Sequence, residues 1–255
     1  MSTRVATAVA TEKEGFEVMN SGEQRGVSSD YGRNAKILTF RTPEGKTETV
    51  VVNQSLVYRF IKRTSDIILS LIALIVLSPV FLITAIAIKR EDGEPVVFTQ
   101  DRNGMNNKTF KMYKFRSMVK DAPELHESLL PQNELDGPAF KMKDDPRITK
   151  VGRVIRKTSI DELPQFVNVL KGEMSLVGPR PLPTYETAQC NEYQRQRLKM
   201  KPGITCYWQV RGRNNITFDE WIEMDLKYIR EASVWTDIKL LGMTFVAVFK
   251  MIGAY

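Results

Sequence analysis

Two adjacent carboxylates, Asp161 and Glu162, stand in the stretch from Arg156 to Pro181 (RKTSIDELPQFVNVLKGEMSLVGPRP), ahead of an amphipathic run and a Gly178-Pro179-Arg180-Pro181 turn. A carboxylate can attack phosphorus and bind a divalent cation when positive charge nearby steadies the phosphate oxygens. That charge lies on both sides. From Lys141 to Lys157 seven basic residues accompany two acids, Asp144 and Asp145, and from Arg195 to Arg213 six basic residues occur with no acid. The whole chain carries a formal +7, less than these two segments together, so the positive charge is concentrated and implies an anionic partner. A structural role fits the same residues: Ser159 and Glu162 match a capping box, and Asp161 suits a helix start. Amides at a helix start also bind phosphate oxygens, so that location serves chemistry equally.

Arg180, on a rigid turn, is placed to hold a phosphate bidentately or simply to decorate the surface. Trp208-Gln209-Val210-Arg211-Gly212-Arg213 interleaves an aromatic ring with arginines, in the manner of a nucleotide pocket or a nucleic-acid patch. A chain with a membrane element has little reason to track a polyanion, and no nucleic-acid partner is expected.

With 255 residues the chain can bury a real core as one large domain or two small ones. Two cysteines, Cys190 and Cys206, and a single histidine, His126, argue against a zinc site or a disulfide framework and favour a reducing compartment. The single histidine also leaves carboxylates as the natural catalytic groups. His126 itself, between Glu124 and Glu127, reads as a solvated surface residue. Glu12, Glu14 and Glu17 occupy the place where an export signal needs an apolar run, so the chain is expected to begin in the cytosol.

The elements that must position these groups begin with a membrane segment. Ile67 to Ile88 is uncharged over 22 residues, enough to span a bilayer core as a helix. Ser78-Pro79 sits near its centre, where proline removes a backbone donor and kinks the helix. Basic residues flank both ends: Arg59, Lys62 and Arg63 before it, Lys89 and Arg90 after it. Symmetric flanks suit a segment that returns to its own side, but a kinked spanning helix satisfies the same composition, and both readings stay open at this point. Before the segment, Lys36 to Phe40 and Thr47 to Val52 read as β-like runs in an otherwise mobile tail. After it, Pro95 to Gln100 and Thr109 to Met118 read as strands around an Asn103-Gly104 turn, with Phe110, Met112, Lys114 and Arg116 on one face as a site wall or a solvated edge. Lys120 to Asp145 is polar and broken by prolines, a helix and a loop over the site. Leu163, Phe166, Val167 and Leu170 share a helical face that Gly172 ends, so Asp161 and Glu162 are expected to open a helix. Ile238 to Tyr255 suits an interfacial helix, with Trp235 and Tyr255 at the headgroup level.

Taken in order, Lys62-Arg63 with Asp66, the Ser78-Pro79 break, VFTQDRNG, FKMYKFRSM, the 156–181 block and PGITCYWQVRGRN resemble the bacterial sugar transferases called monotopic phosphoglycosyl transferases, over residues 56–255. The resemblance implies a mixed α/β monotopic membrane protein. Residues 1–54 form a polar, partly disordered leader, 55–90 a re-entrant membrane helix broken at Ser78 and Pro79, and 91–255 a small cytosolic catalytic domain with interfacial amphipathic helices. It also implies transfer of a sugar 1-phosphate from a UDP-sugar to undecaprenyl phosphate, with release of UMP and a requirement for Mg2+, at the cytoplasmic face of the bacterial inner membrane. Asp161 is then the nucleophile that carries a covalent phosphosugar, and Glu162 positions the dyad and helps with metal or protons. Lys114, Arg156, Arg213 and, less directly, Arg180 hold the donor. The longest members add a bundle of membrane helices where this chain has its polar leader. WQVRGRN resembles hexose-transferring members, which points to glucose or galactose. A non-catalytic basic adaptor of a polysaccharide assembly complex is the rival, although it has no need of an acidic dyad between basic segments. Association as a homo-oligomer is left open.

Overall fold

The computed structural model describes residues 35–41, 47–53, 55–134, 138, 140, 142, 144–211 and 216–249. Most of the expected leader, residues 1–34, 42–46 and 54, lies outside the described residues. The two β-like runs do form a hairpin: β1 (Ala35–Arg41) pairs antiparallel with β2 (Thr47–Asn53), Ala35 opposite Asn53 and Arg41 opposite Thr47. Asn53 Nδ2 donates to the Ala232 carbonyl at 2.9 Å and ties the end of β2 to the C-terminal half.

The apolar segment is two helices, α1 (Leu56–Val76) and α2 (Ser78–Asp92), bent by 60° at Leu77. Pro79 falls in the first turn of α2, where its missing N–H costs no helical bond. Ser78 Oγ donates to the Ile75 carbonyl at 2.8 Å and occupies an acceptor freed by the break. Among the described residues no single helix is long and apolar enough to cross a membrane; only this bent pair passes that test, by length and composition.

Helix α1 is inverted relative to a helix of a water-soluble protein. Its outward face is apolar, with Leu56, Phe60, Ile72 and Ile75 all exposed, while Asp66 and Ser70 are buried. Ser70 Oγ finds no partner among the described residues, but three other inward polar groups engage the next layer. Asp66 Oδ1 accepts from Ser175 Oγ at 3.1 Å and from the Leu176 amide at 2.9 Å. Lys62 donates to the Val177 carbonyl at 2.9 Å, to Tyr228 Oη at 3.1 Å and to Asp237 at 2.8 Å. Arg63 donates to the carbonyls of Val169 at 2.6 Å and Leu170 at 2.7 Å.

β3 (Val97–Asn103) and β4 (Thr109–Phe115) form an antiparallel hairpin, β4 starting where expected and the other ends two or three residues from the expected bounds, with Phe98 opposite Lys114 and Arg102 opposite Phe110. Short helices follow: α3 (His126–Leu129), α4 (Lys150–Lys157) and α5 (Gln165–Lys171), the last closed by Gly172 at φ 79° as expected. β5 (Ser175–Val177) runs parallel to β6 (Gly203–Thr205), with α6 (Thr184–Gln189) and α7 (Glu192–Arg195) between them in sequence. α8 (Tyr207–Arg211), α9 (Phe218–Glu231) and α10 (Val234–Phe249) complete the chain's described part. The main core gathers Val169, Met174, Cys206, Ile222, Leu226, Tyr228 and Ile229 beneath β5 and β6. α10 keeps Leu240 in that core and exposes Trp235, Ile238 and Phe245, the apolar surface expected of the C-terminal helix; Tyr255 lies outside the described residues.

The buried face of α5 differs from expectation. Gln165, Asn168 and Val169 are buried while Val167 is exposed. The reason is Asn168, which accepts from the Tyr113 amide at 3.0 Å and donates to the Lys111 carbonyl at 2.7 Å, filling the backbone bonding positions of β4 and turning the helix toward it.

Candidate active site

Asp161 and Glu162 lie in a single 3-10 turn, Ile160–Glu162, between α4 and α5. They do not open a capped helix. Ser159 takes a left-handed conformation at φ 58° and makes no side-chain cap, so the expected capping box is not formed. Glu162 has better partners: Lys114 Nζ at 2.9 Å and Arg180 Nη2 at 2.7 Å, both on Oε1. Asp161 is only 6% exposed, yet among the described residues its carboxylate makes no hydrogen bond or ion pair. It borders a cavity of about 730 Å³ that Lys114, Arg156, Ser159, Glu162 and Arg180 also line.

These surroundings push the two acids apart. Burial raises the Asp161 carboxyl above its ordinary range, opposed by Lys114, Arg156 and Arg180 and reinforced by Glu162. Burial acts on Glu162 in the same sense, but the directly bonded Arg180 and Lys114 outweigh it and hold this carboxyl well below its usual value. Burial likewise lowers the Lys114 ammonium, with Glu162 working against it.

Each cation is rigidly delivered. Lys114 projects from β4 on the face it shares with buried Phe110 and Met112, which makes that strand face a site wall. Arg180 sits between two prolines after β5. The Gly178 amide donates to the Thr205 carbonyl at 2.9 Å and the Gly203 amide to the Pro179 carbonyl at 2.9 Å. A Cβ on Gly178 would strike the Lys201 carbonyl, and one on Gly203 the Gly178 amide, so this approach of β5 to β6 requires glycine at both positions. Arg197 Nη2 donates to the Arg180 carbonyl at 2.5 Å, and the Arg180 guanidinium lies 5.6 Å from the Trp208 ring centre.

Among the described residues no group of three or more His, Cys, Asp or Glu side chains is arranged to hold a metal. Mg2+ needs less, since it is commonly held by one or two carboxylates together with substrate phosphates and water. A buried carboxylate with no partner among the described residues, opening on a cavity, fits that mode: Asp161 meets this description, whereas Glu162 Oε1 is already shared by two cations.

Residues 57–251 match the family model described as bacterial sugar transferase. The chain belongs to the bacterial sugar transferase family. It is 50% identical over 196 residues to the galactosyl transferase CpsE of Streptococcus agalactiae, an alignment covering 76% of this chain and 43% of that protein. It is 43% identical over 211 residues to the UDP-glucose:undecaprenyl-phosphate glucose-1-phosphate transferase of Escherichia coli, covering 78% and 42%. With the exopolysaccharide production protein ExoY of Sinorhizobium fredii it shares 36% identity over 198 residues, covering 76% and 88%. The chain therefore spans less than half the length of the first two relatives.

The chain brings Lys114, Arg156, Asp161, Glu162 and Arg180 to one cavity, while Arg213 lies outside the described residues and Ser78 and Pro79 mark the helix bend rather than the cavity wall. Several cavity residues escaped the sequence. His126 is half-buried rather than solvated: its ring centre is 5.0 Å from that of Phe140 and 5.9 Å from that of Tyr185, and Nδ1 lies 3.2 Å from Arg147 Nη1. Arg147 is itself clamped by Asp145 at 2.6 Å, one of the two acids set against the basic residues of that segment. Arg102, Glu186 and Trp221 also line the cavity, Trp221 stacked at 4.3 Å on Trp208, the ring that the sequence sets among arginines in the pattern of a nucleotide pocket. The period-2 pattern of β3, which puts Phe98, Gln100 and Arg102 on the side of Lys114, was the one available signal for Arg102.

Proposed function

We propose that this sugar transferase moves a hexose 1-phosphate from a UDP-sugar to undecaprenyl phosphate through a covalent phosphosugar on Asp161, with release of UMP. What carries this is the division of labour in the dyad: Glu162 is locked by Lys114 and Arg180, and Asp161, one residue away, is buried at the cavity edge and has no partner among the described residues. An Asp161 oxygen attacks the β-phosphorus, the bond from that phosphorus to the bridging oxygen breaks, and UMP leaves with the bridging electron pair. An oxygen of the lipid phosphate then attacks the same phosphorus, and the Asp161 carboxylate is the second leaving group. Arg180, Lys114 and Arg156 face the phosphate oxygens and offset their charge, which is most of what phosphoryl transfer asks of a protein. Mg2+ bound by Asp161 and the diphosphate would add further neutralisation there.

The E. coli relative is named for UDP-glucose and undecaprenyl phosphate, the S. agalactiae relative for galactosyl transfer, and the rhizobial one for exopolysaccharide production. These names support a hexose donor and a place in exopolysaccharide production; a role at the first membrane step of exopolysaccharide, capsule or O-antigen synthesis is part of the proposal. The bent apolar pair α1–α2 and the exposed apolar side chains of α10 support a re-entrant, monotopic seat on the cytoplasmic face of the bacterial inner membrane.

The test is incubation of the purified full chain with UDP-glucose or UDP-galactose, undecaprenyl phosphate and Mg2+, measuring UMP, with mass spectrometry of enzyme quenched before acceptor is added. A phosphohexose on the peptide containing Asp161 is expected. UMP release with the adduct on another residue, or with none under any quench, sinks the aspartyl route.

A further inference from the structure

Glu186 is a buried acid for which the transfer chemistry has no use. It is 5% exposed and lines the same cavity as Asp161, on α6. Its carboxyl accepts from the Phe140 backbone amide and bonds the Tyr185 side chain. Facing it is Arg102, whose Nη1 donates to the Pro181 carbonyl at 2.8 Å and whose Nη2 donates to Gln100 Oε1 at 2.6 Å. Those two bonds fix the guanidinium, and its Nε–H is buried with no partner among the described residues. Glu186 and Arg102 influence each other's ionisation, yet they do not close to the 4.0 Å of an ion pair. Two buried opposite charges left apart across a cavity are costly, unless something polar belongs between them.

A neutral group that donates and accepts at once satisfies both sides. A hydroxyl does so, donating to the carboxylate and accepting from the guanidinium, and a hexose presents several on one ring. The rings of Tyr185, His126 and Phe140 supply apolar surface beside the pair, tilted or edge-on to one another, with no flat slot for a planar base. A planar surface does occur in this cavity, at Trp208 stacked on Trp221 beside Arg180. Resting on the transferase function proposed above, we infer that Glu186 and Arg102 form the subsite that receives hydroxyl groups of the donor's hexose. Burial lifts the Glu186 carboxyl to about 7, so near neutrality it can donate as well as accept. Sugar selectivity is then set by α6 and β3, away from the dyad.

The test uses the full chain with the isosteric variant Glu186→Gln, which retains an acceptor for the Phe140 amide. Initial rates with UDP-glucose, UDP-galactose and UDP-xylose, which lacks the hydroxymethyl group, are compared with competitive inhibition by UMP, which carries the uridine and a phosphate but no hexose. The variant is expected to lose about 10- to 100-fold in kcat/KM for the preferred hexose, to discriminate less among the three donors, and to bind UMP as the wild type does. UMP inhibition weakened in parallel would place uridine at Glu186 and overturn the assignment, as would unchanged donor kinetics. A wild type that bound UMP but turned over no UDP-sugar would instead strike at the transferase function itself.

Discussion

Arg180 Nη2 lies 2.7 Å from Glu162 Oε1, and that ion pair is what leaves Asp161 by itself. Had the arginine bonded Asp161, the candidate nucleophile would be held by the cation meant for the phosphate. Because Glu162 takes both Arg180 and Lys114, the positive charge is fixed beside Asp161 without blocking its oxygens.

Replacing Asp161 by Asn is expected to abolish transfer, by about a thousandfold or more, while stabilising the protein. The folded-state pKa of Asp161 is raised above its unfolded value, so its favourable contribution is fully present below the unfolded pKa and lost as pH rises through the folded one. At neutral pH the ionised, desolvated carboxylate is a burden that Asn removes. Melting in detergent should shift upward by about 2–4 °C for each kcal/mol released, with the gain fading toward acid pH. A lower melting temperature at pH 7 would mean that Asp161 has a stabilising partner.

Glu162→Gln should act in the opposite direction. Its depressed folded-state pKa gives stability that is present above the unfolded value and lost as pH falls through the folded one. At neutral pH the variant should lose about 1–3 kcal/mol of stability, as charge-assisted bonds become neutral ones, and about 10- to 100-fold in kcat as Lys114 and Arg180 lose their anchor. Urea unfolding across pH 4–8 checks the first expectation, and steady-state UMP release the second.

Lys114→Met tests the electrostatics from the other side. Asp161 must be ionised to attack, and burial raises its pKa, so kcat/KM should fall on the acid side at a pH above the ordinary aspartate value of about 3.9. Lys114 is the first of the groups opposing that rise, so removing its charge should move the acid limb to higher pH as well as lower the plateau. A plateau lowered with the limb unmoved would show that Lys114 acts on substrate alone.

How far these features could be read from sequence depended on how local their causes are. The alternation of Phe110, Met112 and Lys114 and the Asn103-Gly104 turn belong to one hairpin, and β3–β4 formed close to the expected bounds. Ser78-Pro79 breaks a helix through its own covalent structure, and the 60° bend followed. Ser159 was misread because the capping pattern presumes an extended residue, whereas its φ of 58° is imposed by the turn that presents the dyad. The deep face of α5 was misread because Asn168 earns its burial by bonding a strand 55 or more residues away. His126 packs on Phe140 and Tyr185, and Glu186 bonds the Phe140 amide, contacts made across 14 to 59 residues that the local pattern around either residue does not show. The local charge balance already included Asp145, but not that it binds Arg147 two residues away.

Lys62 and Asp237 join α1 to α10 at 2.8 Å with both side chains nearly buried, and the same lysine holds the Val177 carbonyl, the residue before the Gly178-Pro179-Arg180 turn. Removing one partner of a buried pair leaves the other charge uncompensated, so Lys62→Met should cost about 3–5 kcal/mol. Asp237 retains Tyr58 at 3.1 Å and Tyr228 at 2.6 Å, which softens the loss but cannot neutralise the charge. Adding Asp237→Asn removes the stranded carboxylate, and the double variant should recover part of the stability, a coupling of about 1–3 kcal/mol. Transfer activity should not recover in step, because among the described residues the Val177 carbonyl is left with Tyr228 Oη at 3.1 Å, whose single proton also faces position 237 at 2.6 Å, and β5 is less firmly held beneath Arg180. Thermal unfolding of the four proteins in one detergent, with UMP release measured well below each melting point, separates the two effects. Additive losses in stability would show that Lys62 and Asp237 do not act as a unit, and activity that returned with stability would remove Lys62 from any role in seating the Arg180 turn.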